Sequence, residues 1–319
     1  MEKLGIIAQI RKGRVLTASD FGCLKGIPTL NVTNGCLFQC AYCYARGYSQ
    51  APRKGEVRLY VNLPDLLKEE LARKRNFPAW LIINTASDCF QPYPDILLVT
   101  HQVMQILLEG GIGISFLTKG GIPKKFFDLF RRFPEKVLAQ IGMVSLSERY
   151  WKEYEPYAAA SALRIQNIYN LRATGIIPEV RMDPIIPFLT DTEIETTGLL
   201  EKLKETGIQK VTLSYLHLRP AIQEQLMKEL SPLHQKLIEA CFQGSEWKEV
   251  GASTQTKLLP QPIRENGYAR IQKIAEKLMI QAVVCQCKNP DLKGDLCGSG
   301  RVRKAIRERT SAQLPLFLC

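Results

Sequence analysis

Three cysteines near the start of the chain have the spacing that most restricts what the chain can build. Cys36, Cys40 and Cys43 form a C-x3-C-x2-C pattern directly after Gly35. Thiolates on so short a loop can bind one iron-sulfur cluster, and with no fourth cysteine nearby one iron is left open. A zinc loop would need a second C-x2-C or a histidine pair close by, and inert buried cysteines need no such spacing. Neither alternative fits the pattern well.

Length and composition indicate a globular protein. The 319 residues can bury a full core and suit one large α/β domain with a smaller appendage. No apolar run approaches the roughly 20 residues of a transmembrane helix, and the N-terminus lacks the apolar core of a signal peptide. We therefore expect a cytoplasmic protein with no membrane partner.

Net charge and residue counts limit which partners and which kinds of site are expected. The 43 Lys and Arg against 31 Asp and Glu give a net charge of +12, the sign expected of a protein that meets a phosphate backbone, although basic enzymes without nucleic-acid partners also exist. Ten cysteines without a signal peptide favour metal or redox chemistry over disulfides. The three histidines lie far apart in sequence, which argues against a histidine metal site or a Ser-His-Asp triad.

Strand and helix patterns alternate from residue 29 to about residue 220. Strands are predicted at 29–33, 79–84, 112–117, 137–144, 177–182 and 210–215, and helices at 63–75, 94–109, 123–133, 157–174 and 191–206. This alternation predicts a parallel sheet, with the cysteine loop at the carboxyl end of its first strand. We divide the chain into a lead-in at 1–28, an α/β unit at 29–220 and a mostly helical, cysteine-containing lobe at 221–319, with helices at 231–242 and 265–279.

The cysteine pattern, with Tyr42 just before Cys43, resembles the signature of radical S-adenosylmethionine (SAM) enzymes. The resemblance implies a partial (β/α)6 barrel, a 4Fe-4S cluster whose open iron binds SAM, and one-electron cleavage of SAM to a 5'-deoxyadenosyl radical. It also implies an electron donor such as flavodoxin or ferredoxin. The segments 25–28 and 87–92, together with Tyr44, are similar to the branch that contains spore photoproduct lyase and DNA-repair-photolyase-like proteins, which implies a DNA lesion as substrate.

Candidate SAM contacts follow from the same resemblance. Tyr42 would lie near the adenine, and Ser87 and Asp88, after the second strand, would accept hydrogen bonds from the SAM amino group. Oxygen acceptors are needed there because the ammonium brings donors into a dry site. A helix cap or turn built from the same Ser and Asp explains the pair equally well.

Three further strand ends carry candidate residues. By the resemblance, Lys119 after the third strand would pair with the SAM carboxylate, and Ser145 after the fourth would bind the carboxylate or the ribose. Arg181 and Asp183, at the end of the fifth strand, could contact SAM or substrate, or could pair with neighbours. A lysine at a strand end is more usually solvated.

Cys89 and Tyr44 are the candidate catalytic residues, as donors of a hydrogen atom to the substrate radical. Spore photoproduct lyase uses a cysteine near this strand end, but there the cysteine precedes the Ser-Asp pair, whereas Cys89 follows it. A buried structural thiol is the alternative for Cys89.

A second cysteine group lies in the lobe. Cys285, Cys287 and Cys297 form a C-x-C-x9-C pattern in a polar loop, which predicts a second iron-sulfur cluster or a zinc site. The fourth ligand could be Cys241, Cys23 or Cys319. The family resemblance does not supply this site.

The C-terminus suggests contacts with nucleic acid and with a protein. A basic segment at 301–309 could contact phosphates or form a solvated helix face. The residues Gln313, Leu314, Leu316 and Phe317 resemble the peptide that docks bacterial repair proteins on the sliding clamp, although an apolar tail folded on its own core is an equal alternative.

The predicted function is that of a spore photoproduct lyase-like radical SAM enzyme acting on damaged DNA. The alternative is a radical SAM enzyme that modifies a small molecule, a peptide or RNA with help from an auxiliary cluster. A non-catalytic iron-sulfur electron carrier is a third possibility, and it would need no SAM site.

Overall fold

The computed structural model describes residues 5–19, 24–73, 77–250, 255–295, 300 and 302–305. The strands are β1 (Gly5–Gln9), β2 (Thr17–Ala18), β3 (Pro28–Leu30), β4 (Thr33–Asn34), β5 (Glu56–Tyr60), β6 (Trp80–Ile83), β7 (Gly113–Thr118), β8 (Val137–Gly142), β9 (Glu179–Ile185), β10 (Lys210–Tyr215), β11 (Lys248–Glu249), β12 (Gln255–Thr256) and β13 (Gln281–Val284). The helices are α1 (Leu63–Arg73), α2 (Pro94–Glu109), α3 (Lys124–Arg131), α4 (Glu148–Tyr154), α5 (Ser161–Ala173), α6 (Glu193–Glu205), α7 (Pro220–Glu229), α8 (Pro232–Cys241) and α9 (Gln261–Lys277).

The main sheet has the order β13-β10-β9-β8-β7-β6-β3-β2. Every neighbouring pair from β3 to β13 runs parallel, and β2 pairs antiparallel at one edge. Strands that neighbour in sequence also neighbour in space and are joined by helices, which is the arrangement of a β/α barrel. Because β2 and β13 form two separate edges, the barrel is open. The predicted α/β partial barrel is confirmed.

Burial follows the residue patterns that predicted the elements. Alternate residues Ile114 and Phe116 of β7 are at most 1% exposed, as expected for a parallel strand inside a covered sheet. Helix α2 buries Val99, Val103 and Leu107, which are four residues apart and form one apolar stripe. None of the helices in the described ranges combines the length and the apolar character that crossing a membrane requires.

Two of the differences from the predicted elements lie next to the cysteine loop or at its strand ends. The first strand was predicted to reach residue 33, but β3 ends at Leu30, and Thr33–Asn34 instead pairs antiparallel with β5. The chain turns there because the Val32 amide donates to Asn84 Oδ1 (2.9 Å) at the end of β6. Helix α4 was not predicted, and its start is capped by Ser147, whose side chain accepts from the Tyr150 amide.

The C-terminal lobe returns to the main sheet. After α7, α8, the small β11–β12 pair and α9, strand β13 pairs parallel with β10 from Lys210↔Gln281 to Leu213↔Val284. The lobe therefore supplies a seventh parallel strand, which the sequence patterns did not predict. The division of the chain near residue 220 stays a prediction.

Gly113 of β7 lies opposite Trp80 of β6, and a Cβ at Gly113 would lie 2.4 Å from Trp80 Cδ2. We expect Gly113→Ala to displace the indole and lower the free energy of unfolding by about 1–3 kcal/mol. The control is Gly198→Ala, on the exposed side of α6 with no atom within 4 Å of the added carbon, which should raise that free energy by up to about 1 kcal/mol. Urea unfolding measures both, and equal effects would contradict the expectation.

Candidate functional site

Gly35 begins the loop that carries Cys36, Cys40 and Cys43. Its φ is +89°, a left-handed conformation that favours glycine. An added Cβ would lie 2.6 Å from Pro52 Cγ, so the loop also has no room for a side chain at this point. The turn at Gly35 lets the three cysteines follow within one short loop at the carboxyl side of the sheet.

The cysteine loop holds its thiols in a largely buried setting. Cys40 is buried, and Cys36 and Cys43 are partly exposed. Burial, together with the neighbouring Asp88 and the two other thiols, raises the pKa of Cys36, and burial raises the pKa of Cys40 to about 12. Within the described ranges no three His, Cys, Asp or Glu side chains surround a point that could hold one metal ion. A multi-iron cluster fits this loop better, because each thiolate binds a different iron and loses its proton on binding.

The Asp88 carboxylate ties the ends of two strands together. It accepts hydrogen bonds from Thr118 Oγ1 and the Lys119 amide at the end of β7, both at 2.7 Å, and from the Phe90 amide at 2.9 Å. Burial raises the pKa of Asp88, and these bonds oppose the increase. Both carboxylate oxygens are thus used in holding the turn, which matches the turn alternative. Contact between Asp88 and SAM stays a prediction.

Gln91 joins this turn to the cysteine loop. It is fully buried, its Oε1 accepts from the Leu37 amide (2.7 Å), and its Nε2 donates to Thr33 Oγ1 (2.9 Å). The Ser87 hydroxyl belongs to the same network, since it accepts from Thr33 Oγ1 (2.8 Å) and Asn84 Nδ2 (3.1 Å). Gln91 was not singled out from the sequence, although it lies in the 87–92 segment that was noted there.

Tyr42 is held by a buried charged pair that the sequence did not reveal. Its hydroxyl donates to the Glu155 carboxylate, which also pairs with Arg164, and these two residues are 1% and 3% exposed. Burial alone would raise the pKa of Glu155, but Arg164 holds it below its usual value. Arg164 further donates to the carbonyls of Gly142 (2.8 Å) and Ala159 (2.7 Å). The ring of Tyr42 is therefore fixed against β8 and α5.

Lys119 points toward the barrel mouth beside Tyr42. Its Nζ lies 5.4 Å from the centre of the Tyr42 ring and donates to the Asp183 carbonyl at 3.3 Å. The carboxylate of Asp183 pairs instead with Arg181 and Lys288, and none of the ion pairs found among the described residues involves Lys119. Its ammonium thus forms no direct ion pair there, it lies near enough to Glu155 and Asp183 to lower the pKa of each, and it is suited to an anionic ligand.

Ser145 follows β8 and is 6% exposed. Its hydroxyl donates to Glu195 Oε2 (2.7 Å) in the first turn of α6 and accepts from the Ser147 amide (2.9 Å). These bonds anchor the end of β8 to α6. Contact between Ser145 and SAM stays a prediction.

Arg181 and Asp183 lie within β9, because this strand runs to Ile185 and not to the predicted end at residue 182, and their side chains pair with neighbours. Arg181 Nε donates to Asp183 Oδ2 (2.9 Å), and Lys288 Nζ lies 2.7 Å from Asp183 Oδ1. Burial alone would raise the pKa of Asp183, but Lys288 and Arg181 hold it well below its usual value. Lys288 follows β13, so the lobe contributes a charged group to the mouth of the barrel.

An aromatic–arginine patch, formed by Tyr44, Tyr48 and Arg219, lies next to the cysteine loop. Tyr44 and Tyr48 are 43% and 38% exposed, and their rings meet edge to face with centres 5.8 Å apart. The guanidinium carbon of Arg219 lies 5.7 Å from the centre of the Tyr44 ring, and the Tyr44 hydroxyl donates to the Thr85 carbonyl (2.6 Å). No carboxylate of the described part of the chain forms an ion pair with Arg219.

Cys89 lies in the hydrophobic core and is fully buried. Burial and the adjacent Asp88 raise the pKa of this thiol. These surroundings match the structural thiol that the sequence left open as the alternative. A role as hydrogen-atom donor stays a prediction.

The second cysteine group is described only in part. Cys285 follows β13, its Sγ lies 3.1 Å from that of Cys287, and Arg181 Nη2 lies 3.9 Å from Cys285 Sγ. Cys241 is buried in α8. Other predicted sites lie outside the described residues: Cys23, Cys297, Cys319, most of the basic segment at 301–309, and the tail residues Gln313, Leu314, Leu316 and Phe317.

Comparisons with known proteins agree with this architecture. The family model of the Radical SAM superfamily matches residues 30–203, more than half of the chain. A solved structure of spore photoproduct lyase complexed with dinucleoside spore photoproduct superposes with a TM-score of 0.66, covering 88% of this chain and 81% of that one. The sequence identity is 16%, so this similarity shows a shared fold.

The curated relatives are matched over only part of their length. A radical SAM Nα-GlyT isomerase of Pseudomonas phage M6 is 26% identical over 255 residues, which cover 78% of this chain and 51% of the isomerase. An uncharacterized protein of Mycobacterium tuberculosis is 25% identical over 224 residues, which cover 66% of this chain and 64% of that protein. The chain thus matches less than two thirds of the length of either relative.

Removing Arg164 should leave the Glu155 charge buried without its partner. We expect Arg164→Met to lower the free energy of unfolding by about 3–5 kcal/mol. The matched control is Arg172→Met on the same helix, where the exposed guanidinium donates one hydrogen bond to the Gly207 carbonyl (3.0 Å). This control should lower the free energy of unfolding by about 1 kcal/mol or less. Urea unfolding of both variants tests this, and similar losses would show that the buried pair adds nothing specific.

Proposed function

The chain belongs to the radical SAM superfamily, and from this premise we propose that it is an enzyme that acts on damaged DNA. When bound, a 4Fe-4S cluster supplies the electron that cleaves SAM to a 5'-deoxyadenosyl radical. The donor set of Cys36, Cys40 and Cys43 fits such a cluster, with one iron left for SAM. The observation that carries the DNA assignment is the aromatic–arginine patch beside this loop.

On the SAM side, we assign each residue a task that its contacts support. The ammonium of Lys119, which has no carboxylate partner in the described part of the chain, would bind the SAM carboxylate. Tyr42, whose ring is fixed by Glu155, would form one wall of the adenine site. Ser87 would accept from the SAM amino group, while Asp88 holds the turn on which Ser87 lies. Ser145 and Arg181 would complete the outer part of this site.

On the substrate side, the aromatic–arginine patch suits a nucleotide. Exposed aromatic rings stack on bases that have left a helix, and each stacked base contributes about 1–3 kcal/mol. A guanidinium without a carboxylate partner binds phosphate. Tyr44 and Arg219 lie close enough to serve one nucleotide together, since the guanidinium carbon is 5.7 Å from the ring centre.

Two further observations support a DNA substrate. The net charge of +12 favours association with a polyanion. The spore photoproduct lyase structure that shares this fold is complexed with a dinucleoside spore photoproduct. A lesion inside a duplex must leave the base stack to reach a barrel mouth, and bases that are already damaged leave it at the lowest cost.

Hydrogen-atom transfer to the substrate radical needs a donor within the mouth. Of the two predicted donors, Tyr44 lies at the surface of the mouth, with its hydroxyl bonded to Thr85, whereas Cys89 is fully buried. We therefore propose Tyr44 as the group nearer the substrate. A flavodoxin or ferredoxin would supply the external electron.

Loss of any one cysteine of the loop should abolish SAM cleavage, because two thiolates leave the cluster without adequate support. The measurement is 5'-deoxyadenosine formed from SAM and dithionite under anaerobic conditions, for Cys36→Ala, Cys40→Ala and Cys43→Ala. Cys241→Ala, which removes a buried thiol from α8, is the control and should keep wild-type activity. A loop variant that still produces 5'-deoxyadenosine would refute the assignment.

DNA binding tests the substrate class separately. We expect the wild type to bind a labelled duplex bearing ultraviolet lesions with a dissociation constant of about 1 μM or lower at low salt, weakening steeply as salt rises. Arg219→Gln should weaken DNA binding and should reduce by about 1 the slope of log affinity against log salt concentration. SAM cleavage measured in the absence of DNA should not change. The matched control is Arg131→Gln, an equal charge change at the end of α3, on the opposite side of the barrel from the carboxyl ends of the strands.

The outcome separates the two candidate substrate classes. Salt-independent or undetectable DNA binding, with SAM cleavage intact, would exclude the DNA proposal. It would leave a radical SAM enzyme that modifies a small molecule, a peptide or RNA.

A further inference from the structure

Cys285 and Cys287 lie at the carboxyl end of the seventh parallel strand. The Cys285 amide continues the strand ladder by donating to the Leu213 carbonyl of β10 (2.9 Å). The two cysteines therefore lie at the carboxyl ends of the strands, as the cysteine loop does. Neither residue takes part in the proposed SAM chemistry.

The local backbone turns the two thiols toward each other. Residues two apart in an extended strand point their side chains to the same face, but their Cβ atoms are held roughly two strand rises apart. Here a 3-10 turn, Gln286–Lys288, follows Cys285 at once and brings the two sulfur atoms to 3.1 Å. The two sulfur atoms are thus in direct contact without being joined, since a disulfide bond is about 2.05 Å long.

Buried polar groups lock this turn. Asn289 is fully buried, and its backbone amide and its Nδ2 both donate to the Cys285 carbonyl, at 3.1 and 3.0 Å. Its Oδ1 accepts from Arg264 Nη1 (3.1 Å) and from the Tyr268 hydroxyl (3.2 Å). Arg264 is 1% exposed and is paired with Asp291. Supporting contacts of this kind are what hold metal ligands in position.

The chain then folds back to the turn that follows Cys285. The Gln286 amide donates to the Asp295 carbonyl (3.0 Å), and the Asp295 amide donates to the Val284 carbonyl (2.9 Å). Gly294 has no space for a side chain, since a Cβ would lie 2.6 Å from the Val284 carbonyl. Cys297 lies outside the described residues.

Two basic residues adjoin the pair. Arg181 Nη2 lies 3.9 Å from Cys285 Sγ, and Lys288 follows Cys287 directly. Both basic side chains also pair with the Asp183 carboxylate. A site with several thiolate ligands carries net negative charge, which these cations offset.

We propose that Cys285 and Cys287 are thiolate ligands of a second metal centre, either zinc or an iron-sulfur cluster, at the edge of the barrel formed by β13. Binding replaces two thiol protons with the metal and needs no oxidant or reductant. The proposal is independent of the substrate assignment. It can fail while the first cluster and DNA binding are confirmed.

The test uses the full chain with Cys36, Cys40 and Cys43 all changed to Ala, so that the first cluster cannot contribute. We expect this variant, purified anaerobically, to retain either about one zinc or several irons with matching sulfide per chain. Adding Cys285→Ser and Cys287→Ser should remove that metal, whereas adding Cys89→Ser, at a core thiol that is no candidate ligand of this site, should not. Absence of metal before the added changes, or metal that persists after them, would overturn the proposal.

A second measurement avoids substitutions, in case the variants do not fold. Cys287 is partly exposed, so a thiol there should react with N-ethylmaleimide unless a metal holds it. In the wild-type protein we expect mass spectrometry to find Cys287 protected before treatment with a chelator and labelled after it. Labelling of Cys287 without chelator, or a disulfide between Cys285 and Cys287, would overturn the proposal. Cys297→Ser in the same assay tests whether that residue is a third ligand.

Discussion

The hydrogen bonds from the end of β6 fix the geometry on which the rest of the site depends. Asp88 fastens this strand end to β7, and Gln91 fastens it to the cysteine loop through the Leu37 amide. A loop of three thiols has no regular secondary structure to hold it, so its position comes from contacts with the turn before α2 and with the end of α4. Because the donors and acceptors are buried, leaving one unpaired would cost about 1–3 kcal/mol, and the network favours a single arrangement.

A second set of buried contacts positions the opposite wall. Tyr42, Glu155 and Arg164 connect the cysteine loop to β8 and α5 without access to water. A buried ion pair is often no more stabilising than packed apolar residues, so its value here is positional. It holds an aromatic ring beside Lys119 and thereby defines where an anionic group of a ligand can enter.

Charge pairing divides the cations of the barrel mouth into two classes. Arg181 and Lys288 both pair with the one carboxylate of Asp183 and serve to join β9 to the segment after β13. Lys119 and Arg219 have no such carboxylate partner among the described residues, and they lie beside Tyr42 and Tyr44 respectively. Each of these two cations therefore combines an available charge with an aromatic face. Lys119 with Tyr42 suits SAM, and Arg219 with Tyr44 suits a nucleotide. Both pairs adjoin the cysteine loop.

The sequence by itself determined the fold class, most helices and strands of the α/β unit, and the cysteine loop, because alternating apolar patterns and cysteine spacing are local properties of a chain. The bounds of α2 and β10 match their predictions, since both are long apolar-patterned segments with clear ends. Only the tertiary structure decided which polar residues meet. Glu155 and Arg164 are unremarkable in sequence, and β13 is a short strand whose place depends on β10. Glu155 meets Tyr42, 113 positions earlier in the chain, and Gln281 of β13 pairs with Lys210 of β10. Contacts of such long range leave no periodic signal in the sequence.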